Sequence, residues 1–334
     1  MADEFNRLRG FESRELVVAY FDGLHGRNLN AARARSIVSS FRQGRMLFEN
    51  AANAEPFARP ITQYYGVSAL ARGLAIVLNP DGSEDSLSRG HGLKVGAFAD
   101  DATDLEMQVS KGLFTDFGSA LGGATLRVRT AGPDWYLPLP DIEPTTALRL
   151  GAVVALLPGL TREHRQWTGA DQPPGFTLSA VTRSDGDPAQ VEWKFDGKHS
   201  DDELHRLFGV TDAETRGNGV IATAEDQPVP QLAQGFVFDK IGNVTLRGPL
   251  APDVRLSPLQ VLFIVSFALS MLARYRPSQW MSVFGGGGND RMFPFVRSFL
   301  EFNPSWFPQL AADHLQFAAQ CDYSMIPNTQ PVND

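Results

Sequence analysis

The chain has 334 residues and a formal net charge of −8, with 43% hydrophobic and 20% charged residues. These proportions are typical of a globular protein and exclude a disordered chain, and the length suits one large domain or two closely packed domains. The single cysteine, Cys321, excludes an internal disulfide framework and a cysteine-based zinc site. The first ten residues contain no apolar secretory signal, so we expect a cytoplasmic protein.

The charge is distributed unevenly along the chain. Residues 1–80 contain ten arginines against seven acidic residues, and residues 255–300 contain five arginines against one acidic residue, whereas residues 81–254 contain 15 basic and 26 acidic side chains. If the two basic segments pack together, they form a positive lobe suited to a phosphate, a nucleic acid or an acidic partner. The alternative is ordinary surface arginines in ion pairs.

Two helices are predicted before residue 80. The first covers residues 30–50, where Asn30 is a suitable N-cap and apolar residues recur at nearly helical spacing. The second begins with Pro60 as a first helical residue and ends at the helix-breaking sequence of residues 79–82.

The middle of the chain has the pattern of short strands separated by glycine, proline and aspartate. We expect a helical turn near residues 201–208. The predicted strands cover residues 124–129, 176–181 and 191–195, and a hairpin joins residues 236–240 to 244–247.

The last third is predicted to be helical again. A helix begins after the N-cap Ser257 and ends at residues 274–277, where a proline restricts its predecessor. A short turn containing Trp280 and a glycine-rich connection follow. An aromatic segment then extends to Phe302, and we expect a separate last helix after Pro304.

These elements predict a mainly α-helical protein, α+β overall, in which a helical bundle carries a mixed β-containing middle insertion. We expect a helical N-terminal part (1–99), an acidic mixed α/β middle region (100–255) and a helical C-terminal part (256–334) that packs on the first. The apolar stretch 259–273 has 15 residues, fewer than the roughly 20 that span a bilayer, so we predict a buried core helix and no membrane partner.

Two stretches resemble the YaaC-like protein family, which has no established reaction. The first, residues 40–78, reads SFRQGRMLFENAANAEPFARPITQYYGVSALARGLAIVL and is followed by Gly-His-Gly-Leu at residues 90–93. The second, residues 256–280, reads LSPLQVLFIVSFALSMLARYRPSQW.

The first stretch also resembles, more distantly, HEPN-type helical domains, in which a Tyr-Tyr helix is followed by a His-Gly-Leu turn. Here the pattern falls on Tyr64, Tyr65 and residues 91–93. The resemblance implies an RNA-directed or partner-binding role, as in components of antiviral defence or toxin systems. Catalytic HEPN ribonucleases have an arginine followed after four to six residues by a histidine, and none of the 6 histidines of this chain follows an arginine at that distance.

Tyr65 and Arg72 share one face of the second predicted helix, because seven residues are almost two helical turns. An arginine on an otherwise apolar face needs a partner, either a carboxylate of the fold or the phosphate of a ligand. His91, between two glycines, has an ordinary pKa of about 6.5 that suits a general acid or base. Its alternative role is that of a hydrogen-bonding loop residue.

The sequence Arg274-Tyr275-Arg276 and the nearby Trp280 combine two cations with two aromatic rings at a helix end. This composition suits stacking on bases and pairing with phosphates. The alternative is that the cations complement the negative end of the helix dipole while the aromatic residues anchor the next turn.

The preferred hypothesis is a helical module that binds RNA, single-stranded DNA or a protein partner, without a cofactor or a metal. It requires the Tyr-Tyr helix and the late apolar helix to meet around one cavity. One alternative is a nuclease or nucleotide-processing enzyme that uses His91 with Arg72 or Arg45, and another is a structural subunit of an oligomer. The candidate binding residues are Arg45, Tyr65, Arg72, Arg274, Tyr275, Arg276 and Trp280.

Overall fold

A computed structural model describes most of the helical parts of the chain and, in the middle region, the backbone of the strands. The described residues are 5–121, 142–157, 159–172, 250, 254, 256–285 and 290–320, together with the strands between residues 127 and 247.

The protein is mainly α-helical with a β-containing middle region, as the sequence predicts. The helices are α1 (Arg14–His25), α2 (Ala31–Ala52), α3 (Arg59–Leu78), α4 (Leu113–Leu121), α5 (Leu150–Val154), α6 (Thr161–Thr168), α7 (Pro258–Tyr275), α8 (Pro277–Gly285) and α9 (Phe293–Gln320).

The described strands form antiparallel sheets. Their bounds are β1 (His91–Val95), β2 (Glu106–Gly112), β3 (Arg127–Val128), β4 (Trp135–Tyr136), β5 (Ala147–Arg149), β6 (Gly175–Ser184), β7 (Gln190–Asp196), β8 (Asp212–Arg216), β9 (Gly219–Glu225), β10 (Gln234–Phe238) and β11 (Val244–Arg247). A small sheet has the order β1-β2-β5, a larger one has the order β10-β11-β6-β7-β9-β8, and β3 pairs with β4.

The strand predictions fall on these elements. The predicted runs 176–181 and 191–195 lie within β6 and β7, and the predicted hairpin corresponds to the antiparallel pair β10 and β11. Of the run 124–129, residues 127–128 are described as a strand. The helical turn expected near residues 201–208 lies outside the described residues.

Two glycines of α3 let it pack closely against α2. A Cβ added to Gly66 would lie 2.9 Å from the ring of Phe48, and one added to Gly73 would lie 2.7 Å from the ring of Phe41. Both pairs are seven residues apart, so they meet as two successive layers of an antiparallel helix pair. This contact fixes the position of α3.

Helix α7 is buried on almost all sides. Its first turn is closed by a capping box, in which Ser257 Oγ accepts from the Gln260 amide over 3.1 Å and Gln260 Oε1 accepts from the Ser257 amide over 2.8 Å. The helix is long and apolar enough to cross a membrane, but 78% of that stretch is buried inside the protein. It is therefore a core helix, as predicted.

Helix α9 corrects the prediction of a break at Pro304, because the helix continues through that proline. Pro304 has no N–H to donate to the carbonyl of Leu300 one turn earlier. In the structure, Nε2 of Gln63 on α3 donates to this carbonyl over 2.7 Å. Asn303, also fully buried, donates to Ser266 of α7 over 3.1 Å, so polar contacts join all three helices.

The region around Trp280 is also more regular than the predicted turn. It forms helix α8, which follows directly after α7 and begins with Pro277. Proline is well accommodated at a helix start because its missing N–H is not needed there. The prediction of a turn was wrong because the indole packs into the core, where it holds the helix in place.

Candidate functional site

Helices α3 and α7, which contain the two segments of the family resemblance, are neighbours in the structure. The ring of the buried Tyr64 lies edge-on to Phe263 and Phe267 of α7, with centroid distances of 5.8 and 5.6 Å. Near the end of α7, Nη1 of Arg274 donates to the hydroxyl of Tyr65 over 3.2 Å. The aromatic contacts are in the core and the arginine contact is at its edge.

The backbone around His91 is shaped by glycines. Gly90 and Gly92 have φ angles of 92° and 80°, which residues with a side chain rarely adopt. The register between β1 and β2 shifts just after His91, as in a β-bulge. A Cβ on Gly112 of β2 would lie 2.2 Å from the Gly92 nitrogen, so only glycine fits at this crossing. Bulges of this kind re-aim side chains, and here the imidazole points toward α3.

His91 and Tyr64 form a short hydrogen bond, with 2.6 Å between Nδ1 and the phenolic oxygen. Burial raises the pKa of the Tyr64 phenol. Burial, followed by the charge of Arg274, lowers the pKa of His91. Both groups are therefore neutral near pH 7. The buried Tyr64 hydroxyl needs an acceptor for its proton, so we assign it as the donor to Nδ1, which puts the imidazole proton on Nε2.

Arg274 leans back along α7 toward the level of Ser270. Its Nε donates to the Ser270 carbonyl over 3.3 Å, as expected because helical side chains tilt toward the N-terminus. The guanidinium carbon lies 5.8 Å from the ring centre of Tyr65 and 5.4 Å from that of Tyr275. Arg274 is thus held between two tyrosines by cation–π contacts.

Arg72 and Arg276 add two further cations. Arg72 lies on the predicted face of α3, where Ala69 and Ile76 are buried and Arg72 itself is partly exposed. Its charge acts on the phenol of Tyr64. The guanidinium of Arg276 stacks over Phe98 at 4.9 Å from the ring centre.

We group these residues as one candidate surface, which we call the arginine–tyrosine face. In the described parts of the chain, its arginines make no ion pair with a carboxylate. Its two exposed tyrosines, Tyr65 and Tyr275, leave 42% and 59% of their surface accessible. The face comprises Tyr65, Arg72, His91, Arg274, Tyr275 and Arg276.

The structure places Arg45 in an ion-pair network. Its Nε and Nη2 donate to the two carboxylate oxygens of Glu12 over 2.7 and 3.0 Å, and Nη1 donates to Glu49 over 2.8 Å. The hydrogen bonds that Arg45 donates to these carboxylates raise its pKa above its usual range. Its charge is thus used within the fold, and we leave Arg45 out of the face.

Trp280 is 2% exposed, and its Nε1 donates to the backbone carbonyl of Phe57 over 2.7 Å. A base has no open ring face to stack on, so Trp280 anchors α8 and is also left out of the face. Two residues that support the face from behind or beside it were not selected from the sequence. Tyr64 was noticed only within the Tyr-Tyr pattern, and Phe98 carries no local signal in the sequence.

A comparison with known families identifies the family of the chain. The model of the YaaC-like protein family matches residues 22–315, which include α2, α3, β1 and α7. No curated protein and no solved structure matches the chain. Because the family match covers most of its length, the chain belongs to the YaaC-like protein family.

Proposed function

We propose that this member of the YaaC-like family binds single-stranded nucleic acid through the arginine–tyrosine face. The observation that carries the proposal is the set of three guanidinium groups that, among the described residues, lack a carboxylate partner, one of which, that of Arg274, lies between two exposed tyrosine rings. Unpaired arginines of this kind suit phosphate oxygens, and exposed rings suit stacking with bases.

The local charge matters here because the whole chain carries −8. A protein with this net charge repels nucleic acid at long range, so binding needs a concentrated positive surface. The arginine–tyrosine face provides one, since no acidic side chain of the described residues forms an ion pair with its arginines. An acidic protein segment would meet the same cations, but it would leave the stacking surfaces of the tyrosines unused.

The more distant resemblance to HEPN-type domains fits this proposal. Its two halves, the Tyr-Tyr helix and the His-Gly-Leu turn, are joined by the hydrogen bond between Tyr64 and His91. A role in antiviral defence or a toxin system, in a cytoplasmic setting, follows from that resemblance as part of the proposal. The nuclease alternative is weaker, because the chain lacks the arginine-to-histidine spacing of catalytic HEPN ribonucleases.

The test measures binding of short unstructured RNA and DNA oligonucleotides by fluorescence anisotropy at several salt concentrations. The double variant Arg274→Ala with Arg276→Ala should weaken binding by more than roughly tenfold. It should also reduce the salt dependence, because each lost phosphate contact lowers the slope of log affinity by roughly 0.7.

The matched control is Arg297→Ala, which removes an exposed arginine on α9 that pairs with Glu301 over 3.1 Å. This variant should bind like the natural protein. Thermal unfolding of each variant checks that the fold is retained. Binding that is equally strong in the double variant would exclude the face as the binding surface.

Two further measurements address the alternatives. If RNA or DNA is cleaved, and the activity disappears in His91→Ala, the enzyme alternative replaces simple binding. Light scattering measures the mass of the protein in solution. If the natural protein is a defined oligomer and the double variant is a smaller one, the face is an interface between protein subunits and not a nucleic-acid site.

A further inference from the structure

Three hydrogen-bond donors belong to neighbouring positions on the arginine–tyrosine face. The guanidinium of Arg274 lies at the level of Ser270, one helical turn from Phe267, and the Phe267 ring lies 5.8 Å from that of His91. Arg274 bonds the oxygen of Tyr65, which leaves the hydroxyl hydrogen of Tyr65 to donate elsewhere. His91 contributes its Nε2 proton, because Nδ1 already accepts from Tyr64.

Charged groups lie on several of the elements around His91. Arg274 approaches it from α7, and its charge adds to burial in lowering the pKa of the imidazole. On α4, the carboxylate of Asp116 accepts from the amide and the hydroxyl of Ser88. On the two adjacent strands, Lys94 and Lys111 are exposed.

We infer that Arg274, His91 and the Tyr65 hydroxyl form a subsite for a single phosphate group. This inference rests on the proposed function and names the part of the ligand that the site holds. Each of the three groups donates, and a tetrahedral oxyanion accepts on every oxygen, so donors and acceptors are complementary. Arg72, whose charge reaches Tyr64, adds to the positive potential around the subsite.

The subsite couples phosphate binding to a proton. His91 is neutral when the site is empty, and a bound dianion stabilises the imidazolium form. The proton is taken up from solvent onto Nδ1, and the bond to Tyr64 then reverses, with Nδ1–H donating to the phenolic oxygen. An oxyanion should therefore raise the pKa of His91 and bind more tightly as the pH falls.

The experiment follows the imidazole signals of His91 by NMR in the full-length protein. Sulfate is the first probe, because it keeps two negative charges across the range in which His91 titrates. We expect sulfate to move the His91 signals and to bind several-fold more tightly at acidic than at neutral pH. Arg274→Gln should weaken sulfate at least tenfold, and Arg297→Ala should leave it unchanged.

Phosphate, a nucleoside monophosphate and the uncharged nucleoside then identify the source of the group. If the nucleoside monophosphate displaces sulfate better than inorganic phosphate does, the subsite holds the phosphate of a nucleotide. If the two displace sulfate equally well, the subsite holds a free oxyanion. In His91→Gln, sulfate binding should lose its dependence on pH. The proposal of a subsite is wrong if sulfate does not shift the His91 signals, or if it shifts them equally in the natural protein and in Arg274→Gln.

The two proposals fail in different ways. If oligonucleotides bind and depend on Arg274 and Arg276 while His91 ignores oxyanions, the proposed function stands and the phosphate subsite is excluded. If neither oligonucleotides nor oxyanions bind, both proposals are excluded.

Discussion

The position of His91 depends on residues that have no side chain. Gly92 adopts a φ of 80°, and Gly112 lies so close to its backbone that no Cβ fits between the two strands. The imidazole is thereby turned toward Tyr64 and away from the strand surface. A Gly-His-Gly sequence suggests a loop residue, and the reason for its glycines is apparent only from the neighbouring strand.

The first prediction concerns this crossing. Gly112→Ala should destabilise the protein by about 1–3 kcal/mol, because the new methyl group clashes with backbone that cannot move aside cheaply. Urea unfolding measures the loss, and NMR should show that the imidazole of His91 has left Tyr64. Gly23→Ala on α1 is the control, since no atom of the described residues lies within 4 Å of an added Cβ there. Equal stability of Gly112→Ala and the natural protein would contradict the tight crossing.

At the scale of elements, local signals predicted most helix boundaries. Asn30 accepts from the Arg33 amide over 2.9 Å, and Ser257 closes the capping box of α7, so both helices begin where the sequence indicates. Such caps act within one turn and can be read from a few residues. The continuity of α9 could not be predicted, because the compensating donor, Gln63, is 237 residues away from the Leu300 carbonyl in the sequence.

The second prediction tests this compensation. Gln63→Leu should destabilise the protein by about 2 kcal/mol, because the buried Leu300 carbonyl loses its donor. In a Pro304→Ala background the loss should be smaller by about 1 kcal/mol, since the new N–H of residue 304 bonds the same carbonyl. Urea unfolding of the natural protein, the two single variants and the double variant gives the coupling free energy between Gln63 and Pro304.

Pro308→Ala provides the matched control for this cycle. It restores an N–H one turn further along α9, at a carbonyl that Gln63 does not contact. The cost of Gln63→Leu should therefore be the same with or without Pro308. Equal coupling to both prolines would mean that Gln63 acts through general packing.

At the scale of the whole molecule, several histidines are held neutral by the fold. Burial lowers the pKa of His314 to about 4 and also lowers the pKa values of His25 and His91. The unfolded chain takes up these protons near pH 6.5 (about the ordinary histidine value), whereas the folded chain does so only at lower pH. Acid therefore favours unfolding by binding to these groups in the unfolded state.

The third prediction is that the free energy of unfolding decreases at acidic pH. Stability should be complete above about pH 6.5 and should decrease as the pH falls toward about 4, with His314 contributing on the order of 3 kcal/mol. Urea unfolding at a series of pH values measures this decrease. His314→Gln, which cannot titrate, should flatten the curve in that range, and an unchanged slope in this variant would contradict the assignment.

The candidate site was only partly predictable from the sequence, because some of its contacts join residues that are far apart in the chain. The cation and ring pattern near Arg274 could be read from the sequence, because it lies within one helix end. The sequence could not show that Arg45 and Trp280 are already bound within the fold, since their partners, Glu12 and the carbonyl of Phe57, are remote in the chain. A sequence pattern identifies side chains that suit a ligand, but the fold decides which of them are already used.

The contact between Arg274 and Tyr65 joins residues 209 positions apart. During synthesis on a ribosome, Tyr65 emerges long before α7 exists, so the nascent protein has no complete face until nearly all of the chain has been made. A growing polypeptide that is surrounded by RNA thus lacks the proposed RNA-binding surface. The protein gains the proposed ability to bind RNA only when the fold is complete.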